Sequence, residues 1–161
     1  MKAFLPITAV LIAFLYSCGN PEERLGWHTG PAGLRYQVHS TTGDTAAPRI
    51  GSVCVLGLKY GTPDTAFIDT WKVGETAALN VRASDYPGDL FAGILQLRKG
   101  DSASFRLSAD SFFLHTTGLP QLPPGVSPGD SLDVLVVLRE IRTRKEHRMI
   151  MARELMERRA E

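Results

Sequence analysis

Side chains that could carry out acid–base, nucleophilic or metal chemistry are few in this sequence, and they are scattered. The four histidines lie far apart and lack metal-ligand spacing: His28, His39, His115 and His147. There is no nucleophile elbow, no phosphate-cradling glycine loop and no paired-cysteine motif. The sequence therefore argues against a hydrolase or a metalloenzyme, and we expect neither a cofactor nor a bound metal.

The charge balance argues against a nucleic-acid partner. The 161 residues carry 18 Lys and Arg against 17 Asp and Glu. Residues 1–17 contain Lys2 and no acid, so the rest of the chain carries 17 of each sign. Nucleic-acid-binding domains depend on a basic excess, which is missing here. The length favours one compact domain with short appendages.

The N-terminal residues are typical of a targeting segment. Met1-Lys2 provides a positive start, and residues 3–16 are apolar apart from Pro6 and Thr8. At ~1.5 Å per helical residue, this run covers roughly 21 Å, which is short of the ~30 Å hydrocarbon core of a bilayer. We therefore expect residues 1–17 to be a cleaved signal peptide rather than a membrane span.

The residues at the end of this segment resemble a lipobox of bacterial lipoproteins: Leu15-Tyr16-Ser17-Cys18. The resemblance implies that Cys18 is lipidated, and that the protein is anchored to a membrane of the bacterial cell envelope and faces the periplasm or exterior. An ordinary secretory signal with an incidental Cys18 is the alternative. Lipidation would leave Cys54 without a partner, and its apolar surroundings favour a buried, unreactive thiol.

The segment from residue 90 to residue 113 changes its hydrophobic period halfway along. Apolar residues first recur at helical spacing, namely Leu90, Ile94 and Leu97. Gly93 lies among them, which favours close approach of the helix to a flat surface. After Gly100-Asp101, alternate residues are apolar, namely Ala103, Phe105 and Leu107. The pattern predicts a short helix followed by a half-buried strand.

The remaining patterns predict further strands over residues 34–39, 52–60, 66–71, 77–81 and 132–141. Residues 18–33 are rich in turn-forming residues and predict a flexible tether, so we expect the domain to span residues 34–142. Residues 115–130 contain four prolines and three glycines and predict a long loop. Loops of this length commonly bind a ligand or cover a site.

Residues 143–161 predict an amphipathic C-terminal helix. Met149, Ala152 and Met156 form one row, and basic residues flank it. Three roles remain open for the apolar stripe: packing on its own domain, self-association, or contact with an anionic bilayer.

Taken in order, these elements resemble the FKBP family of peptidyl-prolyl isomerases. The matching motifs are Gly51-Ser-Val-Cys54-Val, Phe67, the helix with Gly93, Lys99-Gly100-Asp101, Ser108-Ala-Asp110 with Phe113, Leu122-Pro123-Pro124 and the last strand. The resemblance implies an α+β fold in which a curved antiparallel sheet wraps around one short helix, with the C-terminal amphipathic helix as an addition. It also implies isomerisation of proline-containing segments in exported proteins.

The resemblance assigns site residues one by one. It implies catalytic roles for Phe67, Asp69 and Phe113, and substrate-binding roles for Leu58, Ile68, Leu90, Phe91 and Val134. The family's strand tyrosine falls at Leu58, its helix tryptophan at Leu90, and its acid after Phe67 at Ile68. The last strand has Val134 where the family often has an aromatic residue. Asp69 falls on the face opposite to Ile68 in a regular strand, unless a bulge restores it.

Prolyl isomerisation requires no proton transfer and no nucleophile. The barrier of ~18–20 kcal/mol comes from amide conjugation, so a dry aromatic pocket that fits the twisted amide lowers it. Phe67, Leu90, Phe113 and Val134 should then line one concavity. The alternative is a catalytically inactive FKBP-like lipoprotein that serves as a binding or assembly module, and the replaced aromatic positions favour it.

Overall fold

A single antiparallel sheet organises the chain. The computed structural model describes residues 26–160. The strands are β1 (His28–Thr29), β2 (Arg35–Ser40), β3 (Val53–Gly61), β4 (Ala66–Asp69), β5 (Ala77–Asn80), β6 (Ser102–Ser108) and β7 (Ser131–Arg142). The α-helices are α1 (Thr70–Val73), α2 (Leu90–Ile94), α3 (Ala109–Ser111) and α4 (Arg144–Ala160). A 3₁₀ turn covers Pro31–Gly33, and a π-helical turn covers Phe112–Thr116.

The strand order is β1-β2-β6-β7-β3-β4, and β5 pairs with β3 on the same edge as β4. Residues 59–61 of β3 pair with β4, whereas residues 53–56 pair with β5. The long strands β3 and β7 pair at the centre of the sheet over nine residue pairs. Their apolar runs suit this central position, because a central strand is covered over most of its length.

The hydrophobic core lies on one face of this sheet, against α2. Alternate residues of β7 are fully buried there: Leu132, Val134, Val136 and Leu138. Asp89 begins α2 by accepting a hydrogen bond from the Ala92 N–H at 2.8 Å, which satisfies a backbone donor at the helix start. The predicted α+β architecture, with a sheet packed on a short helix and an added C-terminal helix, is confirmed.

Gly93 is the point at which α2 meets the sheet. A Cβ atom at this position would lie only 2.5 Å from Cε1 of Phe105, whose ring is almost fully buried. Any side chain larger than hydrogen would therefore push α2 away from β6. The close approach predicted from the sequence is confirmed.

Replacing Gly93 with alanine should destabilise the fold by about 1–3 kcal/mol, because the added methyl group overpacks against the Phe105 ring. Urea unfolding measures this loss. In the double variant Gly93→Ala, Phe105→Leu, the loss should be smaller than the sum of the two single losses, since the smaller side chain leaves room for the methyl. Unchanged stability of Gly93→Ala would contradict the observed packing.

Strand β1 and the turn after it lie before the domain boundary predicted at Leu34. His28 and Thr29 pair with Tyr36 and Arg35 across β1 and β2. The Gly30 N–H also donates to the Leu34 carbonyl at 2.7 Å, which closes the turn between the two strands. Residues 28–33 therefore belong to the folded domain. The predicted signal peptide, Cys18 and the first part of the tether lie outside the described residues.

Two predicted elements end earlier than their hydrophobic pattern suggests. The strand predicted over residues 66–71 stops at Asp69, because the Asp69 carboxylate caps α1. The predicted helix stops at Ile94, after which the N–H groups of Gln96 and Leu97 donate to carbonyls three residues earlier. Leu97 stays buried through this tighter turn.

Hydrogen bonds fix α4 at its start and fasten the long loop at both ends. Thr143 and Glu146 form a reciprocal capping pair, with N–H-to-side-chain distances of 2.7 and 3.2 Å. In the loop, the Thr117 hydroxyl donates to the Phe113 carbonyl, and the Gly129 N–H donates to the Asp110 carboxylate.

Within residues 26–160, no helix is both long enough and apolar enough to cross a bilayer.

Cys54 is completely buried in β3, as its apolar surroundings predict, and burial raises the pKa of its thiol to about 11. In a Cys18→Ser chain, a thiol reagent at pH 8 should therefore label Cys54 only when the fold opens. The ordinary thiol pKa is lower than the folded value, so stability should fall as the pH rises from about 9 towards 11. Labelling rates with and without urea test this, and rapid labelling of the native protein would contradict it.

Candidate functional site

Four aromatic rings meet at the end of the inner sheet face that is formed by β3 and β4. Tyr60 lies 5.0 Å from Phe112 and 6.3 Å from Phe113, measured between ring centroids. Phe67 lies 5.2 Å from Phe113, with the ring planes at 76°. Most of these pairs adopt the edge-to-face geometry that aromatic quadrupoles favour. We call these four rings the aromatic cluster.

Three different backbone features bring the rings together. Tyr60 lies on the inner face of β3 because it pairs with Val134 in the central ladder. The register between β3 and β4 shifts beside Phe67, so that Tyr60 pairs with Ile68 and Gly61 pairs with Ala66. The π-helical turn buries Phe112 and Phe113 together although they are adjacent in sequence.

The aromatic cluster is closed underneath and open at its rim. Leu90, Phe113 and Val134 are 2%, 3% and 0% exposed, so they offer no surface to a ligand in this structure. Tyr60 and Phe67 are half-buried, and Ile68 is 41% exposed. Of the four residues predicted to line a concavity, Leu90, Phe113 and Val134 therefore lie in the core, and Phe67 packs against it at the rim.

Two hollows on the described surface lie away from the aromatic cluster. One of about 270 Å³ lies between β2 and the segment that follows α2, and Leu34, Tyr36 and Phe105 contribute to its wall. A broader, more polar groove separates α4 from the β3–β5 edge. Neither is lined by a residue of the aromatic cluster. Among residues 26–160, no group of three or more His, Cys, Asp or Glu side chains is arranged to hold a metal ion.

Asp69 lies on the outer side of the sheet, away from the aromatic cluster. Its carboxylate accepts hydrogen bonds from the N–H groups of Trp71 and Lys72 and lies 3.7 Å from the Lys59 ammonium. The register shift between β3 and β4 affects Phe67, but Asp69 still lies on the face of β4 opposite to the face that carries Ile68. The structure therefore gives Asp69 a capping role and does not bring it to the other two predicted catalytic residues.

Leu58 and Phe91, two of the predicted substrate-binding residues, both lie in or against the protein interior. Leu58 packs against the core, and its N–H donates to the Thr70 hydroxyl at 2.8 Å. Phe91 is almost fully buried, and the Arg82 guanidinium lies 4.9 Å from its ring centroid. Arg82 also donates to the His115 carbonyl at 2.9 Å. It thereby links the start of α2 to the π-helical turn that carries Phe113.

Sequence reasoning missed Tyr60 and Phe112 as members of the cluster. Tyr60 follows the two-residue period of Cys54, Leu56 and Leu58, so strand alternation alone could have placed it on the inner face. Neither the helical nor the strand period places two adjacent residues on the same buried face, so no period predicts that Phe112 is buried beside Phe113. Trp71, the other ring near β4, does not join the aromatic cluster. It packs instead on Gly57, where a Cβ would lie 2.7 Å from its Cζ2, on the side of β3 opposite to Leu58.

Tyr60 contributes the single hydroxyl of the aromatic cluster. Burial raises its pKa above the ordinary value, so the phenol stays protonated and remains a hydrogen-bond donor throughout the neutral range. The Phe113 ring offers no equivalent group. The cluster therefore combines a large apolar surface with one polar edge.

Comparison with known proteins shows the fold. No family model matches the chain, and no curated protein matches it. Among solved structures, the crystal structure of FkpA from Escherichia coli superposes with a TM-score of 0.57 and 21% sequence identity, over 73% of this chain and 52% of that one. The protein therefore has an FKBP-like fold, with a curved antiparallel sheet around a short helix. The chain matches about half of the length of FkpA.

Replacing Asp69 with asparagine should change the unfolding free energy by no more than about 1 kcal/mol, because asparagine also caps helices and an exposed ion pair contributes little. Asp69→Ala removes the cap and should cost about 0.5–2 kcal/mol. Urea unfolding of the two variants measures these differences. Equal stability of Asp69→Ala and the unaltered chain would contradict the capping role that the hydrogen bonds to Trp71 and Lys72 give this carboxylate.

Proposed function

We propose that this protein is an FKBP-type folding factor that binds proline-containing segments of exported polypeptides and accelerates their cis–trans isomerisation at the aromatic cluster. The main support is the position of the cluster: four rings gather at one end of the inner face of an FKBP-like sheet. Half-buried Tyr60 and Phe67 and exposed Ile68 form its accessible rim.

An aromatic surface suits this reaction because the transition state is a twisted amide that has lost its conjugation. The reaction needs no charged group from the protein. Binding the twisted amide more tightly than the planar cis and trans forms is sufficient to lower the barrier. The proline ring is apolar, and edge-to-face rings can surround it while they exclude water. The Asp69 carboxylate, on the outer face, has no part in this step.

A proline ring can enter the aromatic cluster beyond its rim only if Phe113 moves. Phe113 lies in the π-helical turn, directly before the proline-rich loop that runs to Asp130. Its ring contacts Phe67 and Tyr60 from the loop side. In the proposed reaction, this turn swings outward, the proline ring replaces the Phe113 ring against Phe67, and the Phe113 ring then packs over the bound segment.

A second candidate is a binding or assembly module without isomerase activity. The near-complete burial of Leu90, Phe113 and Val134 favours it, because a closed floor leaves only the rim of the cluster for contact. Such a module would hold extended polypeptide on Tyr60, Phe67 and Ile68 without enclosing a proline ring.

The proposed place of action is the bacterial cell envelope. It is supported by the apolar segment at residues 3–16 and by the lipobox-like sequence that ends at Cys18. Lipidation at Cys18 would hold the domain at a membrane surface, and residues 19–25 would provide the connection to β1.

The deciding experiment is catalysis of a proline-limited refolding reaction by the whole chain with Cys18→Ser. Phe113→Leu should lower kcat/KM at least about fivefold, since it removes a ring but keeps an apolar side chain of similar volume. Trp71→Leu, which removes a ring from the outer face, is the matched control and should stay within about twofold of the unaltered chain.

The same assay separates the two candidates. Failure of the unaltered chain to accelerate refolding eliminates the isomerase. If the chain nevertheless binds a permanently unfolded, proline-containing protein, and Phe67→Ala weakens that binding while Trp71→Leu does not, the binding module is supported. Equal effects of Phe113→Leu and Trp71→Leu on catalysis would remove the aromatic cluster from either role.

A further inference from the structure

The C-terminal helix α4 separates its charges around its circumference. At ~100° per residue, its acidic residues fall within about 80° of arc. They are Glu146, Glu154 and Glu157. Two of them are already engaged within the helix: Glu157 lies 2.9 Å from Arg153, and Glu154 lies 4.0 Å from Arg158. The negative charge of α4 is therefore confined to one side and largely matched there.

A different side of α4 carries cations and methionines with no acid among them. Within about 100° of arc, it presents Lys145, Arg148, Met149, Ala152, Met156 and Arg159. We call this surface the basic–methionine face. Met149 is 55% exposed and Met156 is 72% exposed. Among residues 26–160, the three cations of this face form no ion pair.

The basic–methionine face is turned away from the rest of the domain. The residues of α4 that line the groove beside β3 and β5 are His147, Met151, Glu154 and Arg158. These four lie on the opposite side of the helix from Met149 and Met156. The domain itself therefore covers neither the exposed thioethers nor the three cations.

We propose that the basic–methionine face of α4 binds an anionic membrane surface. The cations match lipid phosphates, and their long aliphatic stems let the charged ends stay at the headgroups while Met149 and Met156 enter the boundary with the acyl chains. Lying flat, the 17 residues of α4 would follow the surface for roughly 25 Å.

The charge of the basic–methionine face favours an anionic membrane over a second copy of the chain as its binding partner. Two basic–methionine faces brought together would place Lys145, Arg148 and Arg159 of one copy against the same cations of the other. No acidic residue on that face could offset the repulsion, and the apolar contact would consist of two methionines and one alanine per copy. An anionic surface removes this conflict. The inference does not depend on isomerase activity.

The test uses a dye that reports on α4 alone. In the whole chain with Cys18→Ser, an environment-sensitive fluorophore is attached at Ala152→Cys, while buried Cys54 stays unreactive. Vesicles of phosphatidylcholine with about one third phosphatidylglycerol should shift the dye emission to shorter wavelength, and pure phosphatidylcholine should not. Residues 1–17 are identical in the two triple variants below, so a difference between those variants on the same vesicles cannot come from this segment.

Two triple variants with the same change in net charge complete the test. Lys145→Glu, Arg148→Glu, Arg159→Glu should raise the lipid concentration for half-maximal shift at least about tenfold. The control Arg49→Glu, Lys72→Glu, Lys99→Glu changes exposed cations elsewhere on the domain and should stay within about twofold. Circular dichroism verifies that α4 stays helical in both.

Three results would overturn the proposal. They are an absent shift with anionic vesicles, equal shifts in the two triple variants, and a shift without vesicles that depends on protein concentration and accompanies a dimer in sedimentation. The last would identify a second copy as the occupant.

Discussion

The contact between Gly93 and the Phe105 ring determines the rest of the structure. A sheet can curve around a helix as short as α2 only if the helix backbone approaches the sheet closely, and here a hydrogen atom is all that fits between them. This approach brings Leu90, Phe91 and Ile94 into the core.

The aromatic cluster shows how packing responds when large side chains are replaced by small ones. Leu58, Leu90 and Val134 occupy positions where the FKBP resemblance implies aromatic residues, and an empty space of that size would be costly. Leu90 and Val134 instead lie with Phe112 and Phe113 in one buried cluster, so only the rim of the aromatic cluster stays accessible. The same side chains thus provide both the surface proposed to bind polypeptide and the barrier to an open pocket.

The two proposed surfaces lie on different parts of the molecule and use different physical forces. The aromatic cluster offers apolar area with a single hydroxyl, which suits an uncharged proline segment. The basic–methionine face of α4 offers three cations and two exposed thioethers, which suit a phosphate-rich surface. If both proposals hold, α4 would keep a polypeptide-binding domain at the membrane surface.

The sequence by itself determined the order of the elements, because strand alternation, helical spacing and proline-rich segments are local patterns. It also identified Gly93 as a close-approach glycine and Cys54 as a buried thiol. Only the tertiary structure decided which side chains meet at the aromatic cluster and how deeply each is buried. The shift in pairing that positions Phe67, the cap that holds Asp69 on the outer side, and the turn that buries Phe112 beside Phe113 all depend on contacts between distant segments. Periodicity describes which face a residue occupies, but it does not describe how much space its neighbours leave.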